Sequence, residues 1–296
     1  MSEHAPFARR MFAPIAHAEK DSGDGLFAQM LTTFGHEFSS VNALESYLKL
    51  IVQPPSGAWR YQFNGKSGNT FVLNLMFELE HGVPFTARVD PAETGNQHPD
   101  FALFAQVGAG LLVTALNYYP TVPAFNNFPG LRLATVRNPY QRAISGFHYL
   151  CRSHRIGDRR FLNERLRMMA LAGLNFETMS HTAQGFARFL GYVRDYAATF
   201  GADAVDPHWR AQALHIRPQL YRPDILGRTE ELDLFAAAVA ARLGKPLLSD
   251  TTALRQNAGE HAQSVDWLQD PALRQVIEQV YAQDFELFDY ARLDPG

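Results

Sequence analysis

The chain has 296 residues, 46% of them apolar and 19% charged, with a formal charge of −3. That composition excludes the disordered and collagen-like classes and leaves enough chain for one large α/β core or two small ones. The slightly acidic balance excludes a general nucleic-acid binder, which needs a broad basic surface, and the single cysteine, Cys151, excludes an internal disulfide or a multi-thiolate metal site.

Residues 1–21 carry charges and histidines throughout and have no apolar core of the signal type. Ser39 and Ser40 can cap a helix over 41–51, where Val41, Leu44, Tyr47, Leu48 and Ile51 form one apolar stripe. Gln53-Pro54-Pro55-Ser56-Gly57 then breaks the chain. Residues 59–63 read as a short strand, followed by a glycine-rich turn and a helix over 69–80 that buries Phe71, Val72, Leu75, Met76 and Leu79. Segment 101–131 holds no charged residue, but Gln106, Gly108, Gly110, Asn117 and Pro120 interrupt it. It is expected to form buried strand and helix and no membrane span.

A second buried strand is expected over 131–136. Asn138-Pro139 then supplies a helix cap and a proline suited to the first helical position. Further helices are expected around 160–171, 184–196, 230–243 and 273–283. Strands alternating with helices imply an α/β fold with a mostly parallel central sheet flanked by helices. The expected organisation is one domain over 58–296, with 1–57 as a helical extension packed on it.

Charge is locally uneven. Between Arg132 and Arg167 stand Arg137, Arg142, Arg152, Arg155, Arg159, Arg160 and Arg165, against only Asp158 and Glu164. Such a run is either a local anion site or a solvated helix face. Two turns bear on the choice. In Phe63-Asn64-Gly65-Lys66-Ser67-Gly68-Asn69-Thr70 a strand passes through glycines into a helix, which offers unpaired N–H groups and the positive end of the helix dipole. Lys66 adds a mobile charge. The spacing is not Walker A, because Arg60 stands five residues before Gly65 where that motif has glycine. The second turn runs from Thr135 to Phe147 and puts Arg137 at a strand's carboxyl end, with Ser145 on the second turn of the following helix. An arginine fork and a hydroxyl beside a helix start suit a phosphate monoester. Arg142 has a plainer reading, a tie from helix to sheet through carbonyls or a carboxylate.

These residues carry a resemblance. Lys66-Ser67-Gly68-Asn69-Thr70 resembles the 5'-phosphosulfate loop of the sulfotransferases, and Arg137-Asn138-Pro139-Tyr140-Gln141-Arg142-Ala143-Ile144-Ser145 resembles their 3'-phosphate motif, Arg-x-Pro-x-x-Arg-x-x-Ser. Asp206-Pro207-His208-Trp209-Arg210-Ala211-Gln212 is similar to the His-Trp-x-x-Gln segment of the Golgi-type carbohydrate branch. Ile225 to Leu232 is similar to the segment that follows it there, and Tyr281 to Tyr290 to the usual ending of those enzymes. Gly65 replaces a common proline, Ala211 replaces another, and the membrane anchor and paired cysteines of the Golgi enzymes are missing, which fits a bacterial-type cytoplasmic member.

The resemblance implies a P-loop-like sulfotransferase fold and a metal-independent reaction. The donor would be 3'-phosphoadenosine 5'-phosphosulfate (PAPS), the product adenosine 3',5'-bisphosphate, and the acceptor a glycan or other hydroxylated small molecule. It implies that Lys66 faces the bridging oxygen and that Ser67, Gly68, Asn69, Thr70 and Phe71 hold the 5'-phosphate. Arg137 and Ser145 would hold the 3'-phosphate, and Gly227, Arg228 and Thr229 would lie near the adenine through backbone contacts. A general base is required. Glu93 and His98 are the expected candidates, followed by Asp90, with His208 outside that group. A phosphotransferase of related fold and a non-catalytic nucleotide-binding module stay open at this point.

Overall fold

A computed structural model describes residues 25–54, 56–85, 112–115, 121–254 and 262–293. Five strands form one sheet: β1 (Ile51–Gln53), β2 (Trp59–Gln62), β3 (Val113–Thr114), β4 (Leu131–Val136) and β5 (Ile225–Arg228), in the order β3-β1-β2-β4-β5. The expected mostly parallel sheet is mixed. β2–β4 and β4–β5 pair in parallel, while β1 runs antiparallel to both β2 and β3. The connections explain this. Only residues 54–58 join β1 to β2, too few for the crossover that parallel neighbours need, whereas long helical segments separate β2, β4 and β5.

The main helices are α1 (Leu26–Phe34), α2 (Val41–Lys49), α3 (Asn69–His81), α4 (Pro139–Arg155), α5 (Leu162–Ala172), α6 (Ala183–Phe200), α7 (Gln212–Ile216), α8 (Leu232–Leu243), α9 (Pro271–Val280) and α10 (Ala282–Leu287). The Ser40 hydroxyl caps α2 by accepting from the Ala43 N–H at 3.1 Å. α2 stops at Lys49 because Ile51 enters the sheet. The segment expected as one helix over 273–283 is two, broken at Tyr281.

Alternation along β4 sorts the core into two layers. Leu131 and Leu133 face a cluster with Phe71, Val72 and Leu75 of α3 and Phe235 and Val239 of α8. Ala134 and Val136 face the opposite cluster, with Ile144 and Phe147 of α4, Phe186 and Phe189 of α6, and Leu44 and Leu48 of α2. A strand buried on both faces needs apolar residues in both registers, and β4 has them. β2 instead points Arg60 into the second layer. There Phe125 lies 4.2 Å and Tyr221 5.1 Å from the guanidinium carbon, and the Phe125 carbonyl accepts a hydrogen bond. Among the described residues no helix is long and apolar enough to cross a membrane.

Candidate active site

Because β2, β4 and β5 are parallel and in register, their carboxyl ends meet along one edge. Gln62 pairs with Ala134, and Thr135 and Val136 pair with Gly227 and Arg228. That edge is where open α/β sheets place ligands. The loops leaving it are the three segments singled out in the sequence, 63–68, 137–138 and 229–231.

The first turn is shaped by positive φ angles at Lys66 (+66°) and Gly68 (+81°). A lysine in the left-handed region is strained, and such residues cluster at functional sites. Gly68 caps α3 without a side-chain cap bond, so the helix directs its first N–H groups at the turn. Tyr61 Oη donates to Asn69 Oδ1 at 2.8 Å, and Thr135 Oγ1 donates to the Ser67 carbonyl at 2.6 Å. The end of β5 closes the far side: a Cβ on Gly68 would lie 3.2 Å from Thr229 Cγ2. Thr229 Oγ1 is buried with no partner among the described residues. Phe71 is a core residue.

The second turn follows its expected form. Asn138 Oδ1 accepts from the N–H groups of Tyr140 and Gln141, and Pro139 opens α4. The Asn138 N–H donates to Glu230 Oε1 at 2.8 Å, and Glu230 Oε2 accepts from Tyr290 Oη. Ser145 is buried on α4. Arg137 is half-buried, and its guanidinium makes no hydrogen bond to a described side chain. Arg142 takes its plainer role. Fully buried, it donates from Nε to the Gly65 carbonyl at 2.8 Å and reaches the Pro207 carbonyl at 3.5 Å.

One residue to which the sequence assigns no role joins the two turns. Gln212, fully buried at the start of α7, accepts through Oε1 from Asn64 Nδ2 (3.0 Å), Ser67 Oγ (2.9 Å) and the Arg137 N–H (2.8 Å). Its Nε2 donates to the Arg137 carbonyl at 2.8 Å and to Asp284 Oδ2 at 3.4 Å. Asp284, also buried, accepts from the Gln212 and Ala213 N–H groups and so fixes the start of α7. The Ser67 hydroxyl proton is committed inside the protein by this network.

The arginine-rich run divides. Arg132 pairs with Asp224, Arg160 with Asp158 and Arg167 with Glu164, while Arg165 donates to Ser153 Oγ and the Asp158 carbonyl. Arg155 and Arg159 are exposed. The remaining three crowd Lys66. Burial, and then the charges of Arg152, Arg137 and Arg142, lower the Lys66 ammonium from its ordinary 10.5 to about 7. Its Nζ lies 4.1 Å above the Tyr149 ring. A cluster of four cations on one edge, one of them pushed toward neutrality, is matched to a multiply charged anion.

Gly227 is buried against Phe235, where a Cβ would come within 2.4 Å. The Arg228 side chain turns away to the carbonyls of Phe288 and Asp289, which leaves its backbone at the edge. Glu93, His98 and Asp90 lie outside the described residues. His208 is half-buried beside the first turn and is hydrogen-bonded through Nδ1 to Asp206 at 2.8 Å. Among the described residues no three His, Cys, Asp or Glu side chains gather as metal ligands.

Two turns at the carboxyl edge of parallel strands, a helix start with no side-chain cap bond and a set of cations around one lysine define an α/β protein with an electropositive edge. Residues 65–291 match the Sulfotransferase family, and since they make up most of the chain, it belongs to that family of sulfuryl-transferring enzymes. No curated protein and no solved structure matches the chain.

Proposed function

We propose that the chain transfers the sulfuryl group of PAPS to an acceptor hydroxyl, on a carbohydrate. The carrying observation is the placement of Lys66, in its left-handed turn before α3, and of Arg137, before α4, at the carboxyl ends of the parallel strands β2 and β4. There burial first, and then the charges of Arg152, Arg137 and Arg142, lower Lys66 to about 7. In this reading Lys66 offsets the charge that grows on the bridging oxygen as the sulfur–oxygen bond breaks. Sulfuryl transfer resembles phosphoryl transfer in its loose in-line transition state, so positioning and charge stabilisation do most of the catalysis. The N–H groups of Gly68, Asn69, Thr70 and Phe71 hold the 5'-phosphate, with Ser67 shaping the turn. Arg137 and Ser145 take the 3'-phosphate, and the backbone of Gly227, Arg228 and Thr229 borders the adenine.

The transferase unit is assigned to 58–296, with 1–57 as a helical extension packed on it, of which α2 enters the core and β1 the sheet, and the protein is assigned to the cytoplasm. Incubation with ³⁵S-labelled PAPS and a panel of unsulfated glycans, in excess EDTA, tests the reading. Label is expected in a glycan fraction. Strict dependence on Mg²⁺ would favour the phosphotransferase alternative, and no consumption of donor with or without Mg²⁺ would favour a non-catalytic nucleotide-binding protein.

A further inference from the structure

Resting on the sulfuryl-transfer reading, we infer that His208, oriented by Asp206, is the general base that takes the proton of the acceptor hydroxyl. Position comes first. A Cβ on Gly65 would lie 3.0 Å from His208 Cα, so His208 packs directly against the residue preceding Lys66. The His208 ring stacks on Tyr149, with centroids 4.9 Å apart and an interplanar angle of 18°. The same Tyr149 ring carries the Lys66 ammonium. The imidazole and the ammonium thus both rest against the Tyr149 ring.

Chemistry comes second. Asp206 accepts at 2.8 Å from both the backbone N–H and the Nδ1 of His208. Burial opposes ionisation of this carboxyl, while a protonated His208, the hydrogen bonds from its ring and backbone, and Arg210 beyond favour it and hold it below the usual range; of these the hydrogen bonds and Arg210 remain when the ring is neutral. An ionised carboxylate only accepts, so it keeps the ring proton on Nδ1 and leaves the Nε2 lone pair basic. Nε2 has no hydrogen-bond partner among the described residues, and the side chain is 31% exposed. The nearby His215 makes the contrast. Its Nε2 is tied to the Pro207 carbonyl at 2.6 Å, and burial holds its pKa far below the ordinary value.

Rigidity comes third. The Pro207 carbonyl is held by His215, the Trp209 carbonyl accepts from Tyr281 Oη at 2.9 Å, and Phe161 meets the His208 ring edge-on at 4.9 Å. A base held this firmly loses little by ordering in the transition state. In the step, the acceptor oxygen forms its bond to sulfur as the bond from sulfur to the bridging oxygen breaks. The hydroxyl proton passes to His208 Nε2 and the electron pair leaves with adenosine 3',5'-bisphosphate, facing Lys66. The sulfated acceptor departs and His208 returns its proton to water.

The test uses the full chain, ³⁵S-labelled PAPS and the same glycan panel, counting transfer to water where no glycan is taken. His208→Gln is expected to lower kcat by about 100- to 10,000-fold, with affinity for adenosine 3',5'-bisphosphate by calorimetry within about twofold, since donor contacts are untouched. Asp206→Asn reverses the ring's tautomer and is expected to cost kcat up to about 10,000-fold. Added imidazole should restore part of the rate of His208→Gly. A merely structural role would instead lower bisphosphate affinity together with kcat and would show no imidazole rescue. Wild-type kcat in His208→Gln overturns the assignment, as does loss of the rate in Glu93→Gln or His98→Asn while His208→Gln keeps it. A wild-type chain that consumes no PAPS sinks the sulfuryl-transfer reading itself, a result distinct from either.

Discussion

Replacing Gln212 by leucine keeps the volume of the side chain and removes its five hydrogen bonds, to Asn64, Ser67, Arg137 (twice) and Asp284. Asn64 Nδ2 retains the Thr135 carbonyl, and Asp284 retains the Gln212 backbone. The Ser67 hydroxyl and the N–H and carbonyl of Arg137 are left buried without these partners. At about 1–3 kcal/mol for each orphaned group, less what relaxation returns, the loss of stability is about 3–5 kcal/mol. That corresponds to a fall in Tm of roughly 6–15 °C. The functional consequence is more specific. Gln212 sets the spacing between the Lys66 turn and the Arg137 turn, so its loss should penalise a ligand that engages both.

Calorimetry below the lowered Tm should show adenosine 3',5'-bisphosphate weakened about 10- to 100-fold, because preorganisation of the two half-sites is lost. AMP and 3'-AMP, each using one turn, should lose less than about threefold. Gln212→Glu keeps an acceptor for Ser67 and the Arg137 N–H but sets a carboxylate against Asp284, so it should show the same pattern. Unchanged bisphosphate affinity in a folded variant would refute the reasoning. Equal losses for all three ligands would place the damage within one turn and not in the spacing.

Three further outcomes are expected. Arg137→Ala should weaken adenosine 3',5'-bisphosphate by about 2–5 kcal/mol, the range for breaking a desolvated charge pair, and Ser145→Ala by roughly 1 kcal/mol. Both should leave adenosine 5'-phosphosulfate almost unaffected, and parallel losses for both ligands would make Arg137 a fold residue. With Lys66 lowered to about 7 by burial and three arginines, a bound anion raises it again. Bisphosphate binding at pH 8 should then take up close to one proton, read from calorimetry in buffers of different ionisation enthalpy, and affinity should fall as pH rises above about 7. At pH 6 Lys66 is already charged and its uptake should vanish, and Arg152→Ala should shrink the uptake at pH 8. Finally, Gly65→Ala puts a methyl 2.6 Å from the Pro207 carbonyl, so the Lys66 turn must separate from the 206–208 segment. A loss of about 1–3 kcal/mol is expected, measured by denaturant unfolding, and wild-type stability would show that contact to be loose.

Local signals make the two turns legible in the sequence. Asn138-Pro139 carries its cap and first-turn proline in adjacent residues, and α4 begins there. Trp59–Gln62 and Leu131–Val136 fall within or on their expected spans, and α3 begins at Asn69, immediately after the glycine that ends the turn. β1 and β5 carry no comparable strand signal. Ile51 looks like the last apolar position of a helix stripe, and Ile225-Leu226-Gly227-Arg228 is four residues with a glycine inside. Both become strands because neighbours supply their hydrogen bonds, which a propensity scale does not contain.

The arginine run shows the same division. Sequence gathers Arg132 to Arg167 without saying which side chains face the edge, since Arg132, Arg160, Arg165 and Arg167 are consumed by partners that α4 and its neighbours bring to them. By itself the sequence determined what is local in the chain: helix caps, turn glycines, the lysine and arginine of the two turns, and a lone cysteine with no partner for a disulfide within these residues. Only the tertiary structure decided what spans distance. It brought Gln212 onto both turns, from 75 residues beyond Arg137 and 145 beyond Ser67, set His208 beside Gly65, and gave Lys66 three arginines. Each of these depends on parallel strands ending at one edge, and pairing between strands far apart along the chain leaves no periodic trace in the sequence between them.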